Sequence, residues 1–233
     1  MNEWGGAFVD RRAAGIALGD ALGRRNLKAP LVVLGLPRGG VPVAFQVART
    51  LDAPLDVLVV RKVGAPNEPE LAIGAIAAGG VTVQVEHLAV CLEQQGASFE
   101  QLAQRERAEL IRREHAYRTG LPPISLSGKS AVLVDDGVAT GCTMIAAIRA
   151  ARKAGAAQVI AAAPVASEEA ATLIGDEADE SVFLTVPLNL SSIGMWYRHF
   201  DQTGDDEVRK LLAESRVPGS ATNEPALIHR TES

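Results

Sequence analysis

Two adjacent carboxylates, Asp135 and Asp136, follow the apolar run Ala131-Val132-Leu133-Val134 and precede Gly137-Val138-Ala139-Thr140-Gly141-Cys142-Thr143. Side by side, they are acceptors suited to a vicinal diol. Gly137 and Gly141 let backbone N–H groups come close to a phosphate, and a helix starting beyond them offers unpaired N–H groups and the positive end of its dipole. Thr140 and Thr143 add hydroxyl donors. A strand, an acid pair and a small-residue turn opening a helix thus form a grip for both ends of a phosphorylated sugar.

Three further segments carry chemistry. Pro37-Arg38-Gly39-Gly40 puts a guanidinium and two permissive glycines after a buried strand, which suits an oxyanion. Arg61-Lys62 opens the segment ending at Glu70, where Gly64, Pro66 and Pro69 argue against regular structure, so a mobile loop is expected. Taken alone the charged pair reads as a solvated strand end, and Glu70 is open between a loop role and solvent. Ile193-Gly194-Met195-Trp196-Tyr197 holds a Trp-Tyr pair that serves either base stacking or core packing. Tyr117 reads as structural and Cys142 as a small space-filling residue.

Other chemistries lack their signatures. There is no GxxxxGK[ST] phosphate loop, no GxGxxG spacing between Gly137 and Gly141, and no GxSxG. A net charge of -5 gives no electrostatic footprint for nucleic acid. Two cysteines, Cys91 and Cys142, form no CxxC pair and share no metal-ligand spacing with the four histidines, which points to a reducing compartment. Glu3, Trp4 and Asp10 occupy the region where a leader needs an apolar run, and no stretch is long enough to span a bilayer. A cytoplasmic protein with no membrane partner is expected.

The elements that must position these residues follow from hydrophobic pattern. Asp10 to Arg25 reads as an amphipathic helix capped by Asp10, Leu31 to Leu36 as a strand buried on both faces, and Val41 to Leu51 as a helix. Leu55 to Val60 reads as a second buried strand. Ile73 to Ala78 and Val81 to Glu86 flank Gly79-Gly80 as a hairpin, and Ser98 to Tyr117 is a charged helix capped by Ser98. Strands at Ser130 to Val134, Gln158 to Pro164 and Ser181 to Val186 alternate with helices at Thr143 to Ala154 and Ser167 to Gly175. This alternation predicts an α/β fold with a mainly parallel sheet flanked by helices. Residues 216–233 read as a poorly ordered tail.

On the strand, acid pair and Thr140-Gly141-Cys142-Thr143 loop, the sequence resembles the type I phosphoribosyltransferase family. Asp10-Arg11-Arg12, Leu36-Pro37-Arg38-Gly39-Gly40-Val41-Pro42, Arg61-Lys62-Val63-Gly64, Pro69-Glu70-Leu71-Ala72, Trp196-Tyr197 and Gln202-Thr203 resemble one bacterial subgroup of it. The resemblance spans roughly Phe8 to Leu212 and implies one domain over residues 8–215, with a flexible loop at 61–72 and a small hood near 187–200. It implies that Asp135 and Asp136 hold the ribose hydroxyls of phosphoribosyl pyrophosphate, and reach magnesium only indirectly through ligand or water. Gly137 and Val138 belong to the same substrate contact, and Ala139, Thr140, Gly141, Cys142 and Thr143 wrap the 5′-phosphate. Arg38, Gly39 and Gly40 form the pyrophosphate loop, which often holds a non-proline cis peptide. Arg61 and Lys62 belong to the loop that closes over the leaving group, and Trp196 and Tyr197 to the hood where a nitrogenous acceptor binds. Arg38, Lys62, Asp135 and Asp136 are the expected catalytic residues. The resemblance further implies a homodimer and transfer of ribose 5-phosphate to a nitrogen nucleophile such as a nucleobase, with release of pyrophosphate. The alternative is a non-catalytic regulatory protein that binds the same ligand.

Two positions depart from the family pattern. His199 stands where the subgroup has an acidic residue. Ala139 replaces the aspartate that precedes the threonine-glycine pair in enzymes for 6-oxopurines, and a methyl group cannot exchange a proton with the base. The resemblance therefore disfavours hypoxanthine or guanine, lies nearer the adenine-type pattern and singles out no base.

Overall fold

A computed structural model describes residues 8–65, 72–84, 98–118 and 121–216. Pro66 to Leu71, the end of the expected hairpin at Glu86, Cys91 and the tail from Val217 lie outside the described residues. No helix among those described is long and apolar enough to cross a membrane.

The chain begins with α1 (Arg11–Gly23), whose N-cap Asp10 accepts a hydrogen bond from the Ala13 N–H at 2.7 Å. Then come β1 (Leu31–Gly35), α2 (Gly40–Thr50) and β2 (Leu55–Val57). After a small sheet and a long helix, the pattern resumes with β6 (Ser130–Val134), α4 (Cys142–Lys153), β7 (Gln158–Val165), α5 (Glu168–Glu177), β8 (Glu180–Thr185) and α6 (Asp205–Ser215). The main sheet runs β2-β1-β6-β7-β8 with every pair parallel.

Side chains alternate across these strands and are buried on both sides, as helices on both faces of a parallel sheet require. Val33, Val132, Val134, Ile160 and Ala162 join the core with α1, α2 and α6, while Val32, Leu34, Ala131, Leu133, Val159 and Ala161 join the core with α4 and α5. Winding from β1 runs outward to β2, and from β6 it runs the opposite way to β7 and β8. The β1/β6 neighbours are therefore the topological switch point, where the loops after the two strands part and leave a crevice.

One expectation is corrected here. Leu55 to Val60 is not a single strand. The chain leaves the main sheet after Val57, and β3 (Val60–Gly64) pairs antiparallel with β4 (Ala72–Ala77), which pairs with β5 (Val81–Gln84). Arg61 to Gly64, expected to be irregular, is thus paired backbone, with a register shift between Val63 and Gly64. Pairing with β4 outweighs the local signals, and a run that is apolar apart from Asp56 carries no mark of which sheet each half will join. The hairpin around Gly79-Gly80 is present as β4 and β5, but as two strands of this three-stranded sheet. The charged helix α3 (Phe99–Arg118) lies against it, burying Phe99, Ala103, Leu110 and Tyr117.

Candidate active site

The loops after β1 and β6 meet at the switch point. A Cβ on Gly39 would stand 2.0 Å from Asp136 Oδ2, and one on Gly40 would stand 2.5 Å from the Val134 carbonyl oxygen. Only glycine lets the arginine loop pass this close to the acid pair. The Pro37–Arg38 peptide bond is cis. On the other side Gly141, the N-cap of α4, has φ +79°, a conformation that L side chains resist. The turn therefore delivers the chain from Asp136 directly into the N-terminus of α4.

These loops border a cavity of about 900 Å³. Pro37, Arg38 and Gly39 line it next to Asp135 to Gly141 and Thr143, and Val60 to Ala65 complete the lining from the small sheet. The expected residues Arg38, Gly39, Arg61, Lys62, Asp135, Asp136, Gly137, Val138, Ala139, Thr140, Gly141 and Thr143 are thus brought together. Gly40 sits beneath Asp135, and Cys142 does not line the cavity.

The two carboxylates differ. Asp136 Oδ2 accepts from Arg11 Nε at 2.8 Å, while the Asp136 carbonyl accepts from Tyr197 Oη at 2.6 Å. Asp135 Oδ1 accepts the Asp136 N–H at 2.9 Å. Burial, and then the neighbouring negative charge of Asp136, push the Asp135 carboxyl well above the usual carboxylate range, against the opposing pull of Lys62. The pair is held at one edge of an open cavity by groups on α1 and the hood.

The hood takes a form the sequence left open. Ile193–Trp196 is a single 3-10 turn. Trp196 and Tyr197 do not line the cavity; Ile193 and Phe200 do. Tyr197 is buried, its ring 5.7 Å from Phe8 and stacked 4.9 Å from Phe200, and burial followed by the charge of Asp136 pushes its phenol above the ordinary range. It serves as a donor that fixes the Asp136 backbone. His199 is exposed, and its N–H donates to the Val9 carbonyl at 2.9 Å.

Four functional candidates escaped the sequence reading: Arg11, and Arg105, Glu106 and Arg113 on α3. The α3 residues share one helical face that overhangs the cavity beside Leu102. Arg61 is bound there, donating from Nε at 2.9 Å and from Nη2 at 2.6 Å to Glu106 Oε2. Their spacing is the only signal the sequence carries, and it reads equally well as a solvated face.

An all-parallel sheet whose switch point joins an acid pair, a phosphate-sized turn and an arginine loop is the architecture of a type I phosphoribosyltransferase. The sequence profile of the family described as "Phosphoribosyl transferase domain" matches residues 6–186, and the chain belongs to this family. Two Mycobacterium tuberculosis proteins, from strains CDC 1551 and H37Rv, each named "Putative phosphoribosyl transferase", are 46% identical over 205 residues. The match covers 88% of this chain and 46% of each relative, so the chain spans about half the length of those relatives. The crystal structure of TT1426 from Thermus thermophilus superposes with a TM-score of 0.75 at 44% identity, covering 89% of this chain and 98% of that one.

Proposed function

We propose that the chain transfers the ribose 5-phosphate group of phosphoribosyl pyrophosphate to a nitrogen nucleophile and releases pyrophosphate. The observation that carries this reading is the packing of Gly39 against Asp136, which sets an oxyanion loop and a diol-binding carboxylate on one cavity wall. In this reading Asp135 and Asp136 accept the ribose hydroxyls. The turn from Ala139 to Thr143 and the start of α4 take the 5′-phosphate. Arg38 and Lys62 face the leaving pyrophosphate, with Arg105 and Arg113 of α3 as further cations. Holding both ends of the substrate fixes its anomeric carbon, and cations stabilise the charge that develops as the C–O bond breaks.

The donor set fits magnesium in one way only. Among the described residues no three His, Cys, Asp or Glu side chains cluster as a metal cage. An acid pair facing a cavity suits an ion that keeps its water and takes oxygens from the substrate. When bound, magnesium supplies positive charge to the pyrophosphate oxygens. Asp135 and Asp136 would hold it through water or ligand.

Incubation with phosphoribosyl pyrophosphate, magnesium and a panel of nitrogenous acceptors is expected to release pyrophosphate and give ribosylated products by mass spectrometry. Tight binding without pyrophosphate release would select the regulatory alternative. Asp136→Ala removes an acceptor whose charge-assisted hydrogen bonds are worth roughly 1.5–3 kcal/mol, so affinity should fall about tenfold to a hundredfold in calorimetry. Unchanged affinity would overturn the ribose assignment.

A further inference from the structure

The main cavity has an annexe of about 320 Å³ that shares Asp136 with it. Arg38, Gly39, Asp136 and Phe200 belong to both, and Arg11, Gln202 and Thr203 complete the annexe. None of the phosphate turn from Gly137 to Thr143 lines it, so an acceptor placed there would reach the proposed ribose site at Asp136 without displacing the phosphate from that turn.

Arg11 dominates its chemistry. The guanidinium donates from Nε to Asp136 Oδ2 at 2.8 Å and from Nη1 to the Asp201 carbonyl at 2.7 Å, and its carbon lies 3.8 Å from the Phe200 ring centroid. Its side chain is only 12% exposed. Nη2 has no protein acceptor among the described residues. A planar donor fixed in this way presents its unused N–H groups at almost no entropic cost, which suits recognition of a carboxylate. Gln202 and Thr203 add an amide and a hydroxyl. Two guanidiniums face one carboxylate on the annexe wall, so its charge is positive although the chain carries -5.

The annexe also lacks a base. Its one carboxylate is engaged by Arg11, and the neighbouring position in the phosphate turn is Ala139. An acceptor bound here must bring an available nitrogen lone pair rather than rely on the protein to remove a proton.

We infer that the acceptor is a heteroaromatic carboxylate, its anionic group held by Arg11 with Gln202 and Thr203 and its ring against the Arg11–Phe200 stack. This rests on the phosphoribosyl-transfer reading of the same site and names its substrate class. A pyridine-like nitrogen donates its lone pair to form the N–C1′ bond, while the C1′–O bond breaks with its electron pair leaving on pyrophosphate. No proton changes hands.

The test compares pyridine-3-carboxylate with pyridine-3-carboxamide, which share shape and differ in charge, and adds adenine as a neutral purine. Each is incubated with the full chain, phosphoribosyl pyrophosphate and magnesium, and pyrophosphate release is followed. The carboxylate should exceed the carboxamide in kcat/KM by at least about tenfold, the scale of one charge-assisted hydrogen bond. Arg11→Gln should bring that ratio close to one. Because it is a ratio, any change in phosphoribosyl pyrophosphate binding cancels. Gln202→Leu, expected to raise KM for the carboxylate more than for the carboxamide, serves where Arg11→Gln fails to fold. Equal use of the two pyridines, a preference for adenine, or an unmoved ratio in both variants overturns the inference. Calorimetry with phosphoribosyl pyrophosphate alone separates the failures: ligand bound but no carboxylate consumed sinks the acceptor class and spares the ribose site, whereas no binding sinks both.

Discussion

Arg38 is the side chain whose orientation the proposed chemistry needs most, and its neighbours explain how it is set. Asp205, at the first turn of α6, accepts from Tyr117 Oη at 2.8 Å and stands 3.9 Å from Arg38 Nη1. Burial, followed by the hydrogen bond to Asp205, pushes the Tyr117 phenol up to about 12, so it stays a donor at neutral pH. Both partners of the Arg38–Asp205 pair are about one-third exposed, and such a pair contributes little to stability. Its consequence is directional: Arg38 is held near the cavity yet able to turn to an anion. Tyr117→Phe should cost about 1 kcal/mol of stability for the lost hydrogen bond, read from urea denaturation. It should also raise KM for phosphoribosyl pyrophosphate severalfold with a smaller change in kcat. A variant that loses stability but keeps its KM would show Tyr117 to be structural only.

At the scale of elements, α3 is where reading the sequence stopped short. The strands of the main sheet, helices α1, α2, α4 and α5 and the acid-pair turn were legible because each strand is a short apolar run with a turn signal behind it, and because Gly141 marks the start of α4. α6, a charged stretch with few apolar positions, was not legible as a helix. α3 was legible as a helix but not as a wall of the cavity. Its Arg105, Glu106 and Arg113 look like an ordinary solvated face, and only the packing of Phe99 and Ala103 over the small sheet turns them toward the site. For the same reason the sequence could not show that β3 departs from the main sheet. The helix also carries its own acid-sensitive clamp: Glu109 accepts from Arg112 Nε at 2.7 Å and Nη2 at 2.9 Å, and from Arg113 Nε at 2.7 Å. These hydrogen bonds hold its carboxyl down to about 2, below its ordinary value of 4.5. A depressed carboxyl contributes stability above its unfolded pKa and loses it as the pH falls toward the folded one. Because the clamp faces solvent, the effect is only a few tenths of a kcal/mol. The difference in urea midpoint between the chain and Glu109→Gln should be present at pH 6 and shrink between pH 4.5 and about 2. A difference that stays constant with pH would deny the clamp any role.

Taken whole, the molecule is a parallel sheet with a second, smaller sheet and α3 laid across the mouth of its switch point, and one buried ion pair ties the two together. Asp56 on β2 is 1% exposed. Its carboxylate accepts from Arg118 Nε at 3.2 Å, from the Val57 N–H at 2.8 Å and from the Ile124 N–H at 2.9 Å, while Arg118 Nη2 donates to the Val57 carbonyl at 2.8 Å. The end of α3, the edge of the main sheet and the chain leading into β6 converge on this carboxylate. Desolvating the pair costs as much as the attraction returns, so its presence does not make the fold more stable than an apolar contact would. Breaking it is another matter. Asp56→Ala takes a buried carboxylate away from a buried guanidinium and two N–H donors, and should lower unfolding free energy by about 3–5 kcal/mol in urea titrations. Replacing both residues with apolar side chains, Asp56→Leu with Arg118→Met, should recover only part of that loss: no buried guanidinium is then left facing an apolar substitute, but the Val57 and Ile124 N–H groups still lack their acceptor. The wall that α3 gives the cavity then depends on how firmly its end is anchored. The single variant should weaken phosphoribosyl pyrophosphate binding as well as stability, and the double variant should restore part of both. A single variant that unfolds no more easily than the parent would mean that α3 is held by its apolar face alone.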